Sequence, residues 1–166
     1  FFLMIRRPPI YTPMLNRRQR QMCIRDRPGG GTTDYAIEIY HKAIQDKAYN
    51  CFLSELTMLP MMYMDDAVKA TIDIMNADPE AIKIRSSYNL AAISFTPKDI
   101  AESIKLKIPE FTITYSPDFR QKIANSWPKS IDDTEARIHW NWKPKYNLED
   151  ITQDMISHLS EKYSLI

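Results

Sequence analysis

The chain's only three glycines stand in a row, Gly29, Gly30 and Gly31, and lead through Thr32, Thr33 and Asp34 into a helix-patterned run. Backbone without a Cβ can approach a small anion closely, and amide N–H groups at a helix start attract negative charge. The same letters also describe a flexible loop entering a capped helix, and the pattern leaves both readings open. Other chemically capable side chains share no geometry. Asp65 and Asp66 could be taken for a metal or acid–base pair, but their place at a helix start favours capping. His41, His139 and His158 have no common spacing and read as surface or rim residues. Cys23 and Cys51 form neither CxxC nor a mixed ligand pattern, so no zinc site or disulfide framework is expected. Met58, Met61, Met62 and Met64 read as core packing, with a pocket-lining methionine as the other reading.

The elements that must position these residues alternate between helical and strand-like patterns from Pro28 onward, which is an α/β rhythm. Thr33 can cap a helix over 34–47, on which Ala36, Tyr40, Ala43, Ile44 and Lys47 recur at helical spacing. Strands are predicted over 49–53 and 61–64, followed by a helix from 65 to 76 whose first-turn carboxylates complement its dipole. A further strand is predicted over 88–92. Thr96, Pro97 and Asp99 then spell a capped helix reaching about residue 107. Phe111, Ile113 and Tyr115 alternate with threonines as in a half-buried strand. Asp132 or Asp133 opens a short helix toward Trp140, and Asn147 with Asp150 caps a last one carrying Leu148, Ile151, Met155 and Leu159 on one face.

At 166 residues, 44% hydrophobic and 26% charged, the chain has the makings of one soluble globular domain. Its formal charge of +1 conceals an asymmetry, because residues 1–27 hold seven arginines and one acid, Asp26, leaving −5 for residues 28–166. The acidic remainder has no basic stripe interleaved with aromatics, so nucleic acid is not expected as a partner. No apolar run is long enough to cross a bilayer, so no membrane association is expected either. Residues 1–27 hold neither a helical nor a two-residue period. An Arg-rich mitochondrial targeting peptide and a nucleic-acid-binding arm are two readings of them. A third fits the letters better: QMCIRDR and FFLMIRRPP resemble translated sequencing-adapter read-through. Residues 1–27 are therefore expected to be a non-native or disordered leader, and residues 28–166 the functional part.

Five segments, PGGGTTDYAIEIYHKAIQDK, FLSELTMLPMMYMDDAVKATI, IRSSYNLAAISFTP, IPEFTITYSPDFRQKIANSWPKSIDD and ARIHWNWKPKYNLEDITQDM, resemble in order the NAD-dependent L-threonine 3-dehydrogenases of the extended short-chain dehydrogenase/reductase family. The resemblance implies an α/β fold, the C-terminal, substrate-side part of a Rossmann-type dehydrogenase with its cofactor half missing. It also implies L-threonine as substrate, oxidised at its β-hydroxyl to 2-amino-3-ketobutyrate with hydride passing to NAD and no metal. A homodimer is implied for the full-length enzyme, in the cytoplasm or, in an animal, the mitochondrial matrix. By the same resemblance Gly31, Thr32 and Thr33 hold the substrate's polar groups, threonine hydroxyls and helix-start N–H groups being suited to a carboxylate. Trp127 resembles a tryptophan that closes over substrate; an ordinary core aromatic is the other reading. Arg120 falls where related sugar-nucleotide enzymes hold a phosphate, with a structural salt bridge as its alternative. Trp140 and Trp142 are expected to pack the last helix.

The family's catalytic devices are a Gly-rich dinucleotide turn and a tyrosine with lysine four residues later. With glycine confined to positions 29–31 no GxGxxG exists, and none of the nine tyrosines has a lysine at that spacing. This stretch alone is therefore expected to be inactive. Two further functions remain in view. A sugar-nucleotide epimerase or dehydratase would need room for a nucleotide and an arginine clamp. A non-catalytic interaction module would bind a partner without NAD.

Overall fold

The computed structural model describes residues 23–24 and 31–164. In chain order the elements are β1 (Cys23–Ile24), α1 (Tyr35–Gln45), β2 (Ala48–Cys51), β3 (Leu59–Tyr63), α2 (Met64–Asn76), β4 (Ile93–Phe95), α3 (Pro97–Lys105), β5 (Thr112–Tyr115), α4 (Arg120–Asn125), α5 (Thr134–Trp140) and α6 (Leu148–Ser164). Strands β2 and β5 pair in parallel, Ala48 opposite Thr112 and Cys51 opposite Tyr115. A second sheet has the order β1-β3-β4, with β3 parallel to β1 and antiparallel to β4. The expectation of a structureless leader lies outside the described residues except at β1, whose two residues pair with Met62 and Tyr63.

Three helices cover β2 and its surroundings because each carries an apolar stripe. Tyr35, Ile39, Tyr40 and Ala43 of α1, Ile100, Ala101 and Ile104 of α3, and Ile151, Met155 and Leu159 of α6 are all buried in one cluster with Cys51, Leu53, Leu59 and Phe111. One polar network crosses this core without leaving a group unpaired. The Thr152 hydroxyl donates to Leu148 O at 2.8 Å and receives Ser103 Oγ at 2.8 Å and the Tyr40 hydroxyl at 2.9 Å. Since Thr152 has given its one proton to Leu148, Tyr40 is the donor in the last bond. Two helix starts match the predicted caps. Thr96 and Asp99 form a reciprocal capping box with Pro97 at the first helical position, and Asn147 and Asp150 exchange side-chain bonds with each other's backbone N–H at 2.9 and 3.2 Å.

The structure departs from the predicted elements in three places. Residues 88–92 are irregular, and the strand begins only at Ile93. The reason lies in side chains: the Tyr88 hydroxyl accepts the N–H groups of Lys83 and Ile84, both at 3.1 Å, and Trp142 Nε1 donates to Ala91 O at 2.9 Å. These bonds pin the segment at its two ends, and at Ala91 a side chain takes the carbonyl that a ladder would use. Helix α4 has no apolar period to announce it, since Ala124 is its single buried residue. Finally, Asp66 does not cap its own helix. It is fully buried and accepts the N–H groups of Lys145 at 2.8 Å and Tyr146 at 3.1 Å, tying the segment before α6 onto α2. No helix among the described residues is long and apolar enough to cross a membrane.

Candidate functional site

Helix α1 runs directly into β2 and packs on it, so the start of α1 lies at the end where β2 finishes. Strand β5 is parallel to β2 and finishes at the same end. The turn before α1, the loop after β2 and the segment from β5 into α4 therefore meet outside the carboxyl ends of the strands, where ligands of α/β folds bind.

At the α1 start the structure does not use Thr33, the predicted cap. Gly31, Thr32 and Thr33 form a turn, and the residue before the first helical position is Asp34 rather than Thr33. The Asp34 carboxylate accepts the Gly31 N–H at 2.8 Å while the Asp34 N–H donates to Gly31 O at 3.2 Å, closing the turn on itself. An added Cβ on Gly31 would meet Asp34 Oδ1 at 3.4 Å, an ordinary van der Waals contact, so the space around this turn does not itself demand glycine. Thr32, Thr33 and Asp34 are all buried. The N–H of Gly31, expected to be available to an anion, is already satisfied.

Tyr35, next in the chain, meets Phe52 of the loop after β2 edge to face, their centroids 6.5 Å apart. Its hydroxyl is fully buried without a hydrogen-bond partner among the described residues. Burial, with the Cys51 thiol beside it, pushes this phenol far above its ordinary range. The Cys51 thiol is itself pushed up to about 11 by burial, which leaves it protonated and unreactive at neutral pH.

The other face of the Phe52 environment belongs to Arg120. Its guanidinium lies over the Phe52 ring, 3.2 Å from the centroid. Arg120 Nε donates to Asp118 Oδ1 at 3.1 Å and Oδ2 at 2.9 Å, and Nη2 donates to Oδ2 at 2.7 Å. Asp118 Oδ1 also accepts the Arg120 backbone N–H at 2.8 Å. These contacts hold the Asp118 carboxyl below its ordinary range. Of the two sequence readings of Arg120, the salt bridge is the one formed. Nearby, Tyr49 donates to Glu38 at 3.1 Å, and burial followed by the Glu38 charge raises the Tyr49 phenol well out of its ordinary range.

Phe52 thus stands between Tyr35, the first residue of α1, and Arg120. Trp127 stands just beyond α4, half-buried against the main core, with its N–H donating to Ala124 O at 3.1 Å. Gln121 fixes α4 to the loop after β2, accepting the Ser54 N–H at 2.8 Å and donating to Thr57 Oγ1 at 3.0 Å. Sequence reasoning did not single out Asp34, Phe52, Asp118 or Gln121. Of these only Asp118 carried a local signal, as the Asp of a Pro-Asp turn two residues before a basic side chain. Trp140 and Trp142 pack elsewhere, beside α2 and α5 rather than on the last helix. No group of His, Cys, Asp and Glu among the described residues could hold a metal ion.

No family model matches the chain. It is 47% identical over 136 residues to an uncharacterized epimerase/dehydratase of Staphylococcus aureus (strain USA300), a match covering 81% of this chain and 42% of that protein. Among solved structures it superposes on L-threonine dehydrogenase from Phytophthora infestans with a TM-score of 0.82 at 46% identity, over 85% of this chain and 46% of that one. Against the GalE-like L-threonine dehydrogenase from Cupriavidus necator in its apo form the TM-score is 0.77 at 51% identity, over 80% of this chain and 48% of that one. The chain thus spans less than half the length of these relatives. Over that span it belongs to the extended short-chain dehydrogenase/reductase family.

Proposed function

We propose that the chain forms the substrate side of a longer NAD-dependent dehydrogenase that oxidises L-threonine to 2-amino-3-ketobutyrate. The observation that carries this reading is the row Tyr35, Phe52 and Arg120, which stands beside the Gly31–Thr33 turn at the carboxyl ends of β2 and β5. It is a compact site whose arginine is already engaged. Similarity at 46% and 51% identity to proteins described as L-threonine dehydrogenases supports the same assignment. In it the turn of Gly31, Thr32 and Thr33 holds the amino acid's polar groups through its threonines, the Gly31 N–H being held by Asp34, and Trp127 shields them from water. The longer protein is a homodimer.

The described residues do not fit NAD. Gly31 is their only glycine and its N–H is taken by Asp34, and no tyrosine here has a lysine four residues later. No reaction step is therefore assigned to them, and in this reading the chain alone is inactive. A sugar-nucleotide substrate is disfavoured because Arg120, the arginine at this end, is held by Asp118 and covered by Phe52.

The test is to recover the uninterrupted coding sequence upstream of Pro28 and assay the longer protein for NAD reduction with L-threonine, in parallel with UDP-sugars and with this chain. Threonine-dependent NADH from the longer form alone is expected. Turnover of a UDP-sugar with none of threonine would overturn the substrate assignment.

A further inference from the structure

We infer that Asp118 sets the charge preference of the substrate side: by holding Arg120 it makes the site select a ligand of no net charge over one carrying a phosphate group. The inference rests on the reading above of this end as the substrate side, and deepens it. A guanidinium has five donors in a planar fork suited to a phosphate. Here two of those donors, Nε–H shared between both oxygens and one N–H of Nη2, go to one carboxylate at 2.7 to 3.1 Å, and one face of the guanidinium lies on Phe52 at 3.2 Å.

Asp118 is itself fixed. It sits two residues before Arg120 and accepts that residue's own N–H at 2.8 Å, so the pair closes with little loss of chain freedom. The two side chains are only 34% and 21% exposed, which keeps water from screening the contact fully. Glu38 adds a further negative charge acting on Arg120 while accepting the Tyr49 hydroxyl. Glu38, Asp118 and Arg120 together therefore carry one net negative charge, although an arginine stands among them. A phosphate would meet an arginine already neutralised by Asp118, and would face the charges of Asp118 and Glu38 together. A zwitterion brings its own ammonium group and meets no such penalty.

The experiment titrates the 166-residue chain with inorganic pyrophosphate at fixed ionic strength and follows the Arg120 Nε–H resonance by NMR. It compares the wild type with Asp118→Asn and with Asp118→Asn combined with Arg120→Ala. The wild type is expected to show no saturable shift. Asp118→Asn is expected to bind at least about tenfold more tightly, and the double variant to lose that gain. Asp118→Ser, which retains an acceptor for the Arg120 N–H, serves if the asparagine variant does not fold. A saturable wild-type shift, equal binding by wild type and single variant, or a gain that survives removal of Arg120 would each overturn the inference. The readout needs neither NAD nor turnover. If the longer protein ignores threonine while Asp118→Asn gains pyrophosphate, the substrate assignment falls and the charge preference stands.

Discussion

The two hydrophobic clusters of the molecule are built on different principles. The larger one draws on four helices, α1, α3, α4 and α6, and on both sheets, so each of its residues is backed by many others. The smaller one has four buried members, Met62, Ala70, Ala136 and Trp142, with Tyr88, Leu90, Ala92 and Trp140 partly buried around them. It holds an irregular segment, and its order rests on a few polar contacts: Tyr88 on two backbone amides and on His139 at 2.8 Å, Trp142 on Ala91, and Asp66 on Lys145 and Tyr146. The candidate site stands on the larger cluster. Redundant apolar packing supports the candidate site, and the smaller cluster secures the segment before α6 against α2.

That contrast is broken most forcefully at Trp142, which is fully buried. Trp142→Ala is expected to cost about 3–5 kcal/mol. Hydrogen exchange should show the loss first as faster opening of residues 77–92 and 134–147, with α1 and α3 still protected. Uniform loss of protection would mean that the two clusters form one cooperative unit. Asp66→Ala strands two backbone amides and is expected to cost about 2–3 kcal/mol in denaturant unfolding; an unchanged midpoint would show that water replaces the carboxylate. In the larger cluster, Thr152→Val removes the group that both Tyr40 and Ser103 address. About 1–2 kcal/mol of destabilisation is expected in the same measurement, spread over the whole core.

The smallest effect belongs to the site's ion pair. Because Arg120 lowers the Asp118 pKa in the folded state, the pair's contribution is present above the ordinary aspartate range. It disappears as the pH falls through the lowered folded value. Melting temperatures of wild type and Asp118→Asn should therefore differ slightly at neutral pH and converge well below about pH 4. A constant gap across that range would detach the effect from Asp118 ionisation.

How much of this was legible beforehand follows the same division. Helices α1, α3 and α6 were readable because one face of each is apolar at helical spacing, and the Thr96–Asp99 and Asn147–Asp150 caps because their residues are adjacent in sequence. The fold class was readable from alternation of such patterns. Residues 88–92 looked like a strand since an apolar run does not reveal that a tyrosine hydroxyl and a tryptophan N–H will claim its neighbours' backbone groups. Asp66 reads as a cap in the sequence for a similar reason: its partners lie 79 and 80 residues away. At the site, Gly31, Thr32 and Thr33 were placed correctly at a helix start, while Asp34's closure of the turn was hidden because an Asp there suits several local geometries. Phe52 as the piece between Tyr35 and Arg120 depends on the pairing of β2 with β5, which no local pattern encodes.

The account turns on whether the Gly31–Thr33 turn and Trp127 contact the substrate. In the longer protein, steady-state kinetics of Thr33→Ala and Trp127→Ala test this most directly. A rise in KM for L-threonine of about tenfold or more is predicted, with KM for NAD and the melting temperature unchanged. An unaltered threonine KM in both variants, with turnover intact, would contradict the placement of the substrate at this end of the sheet.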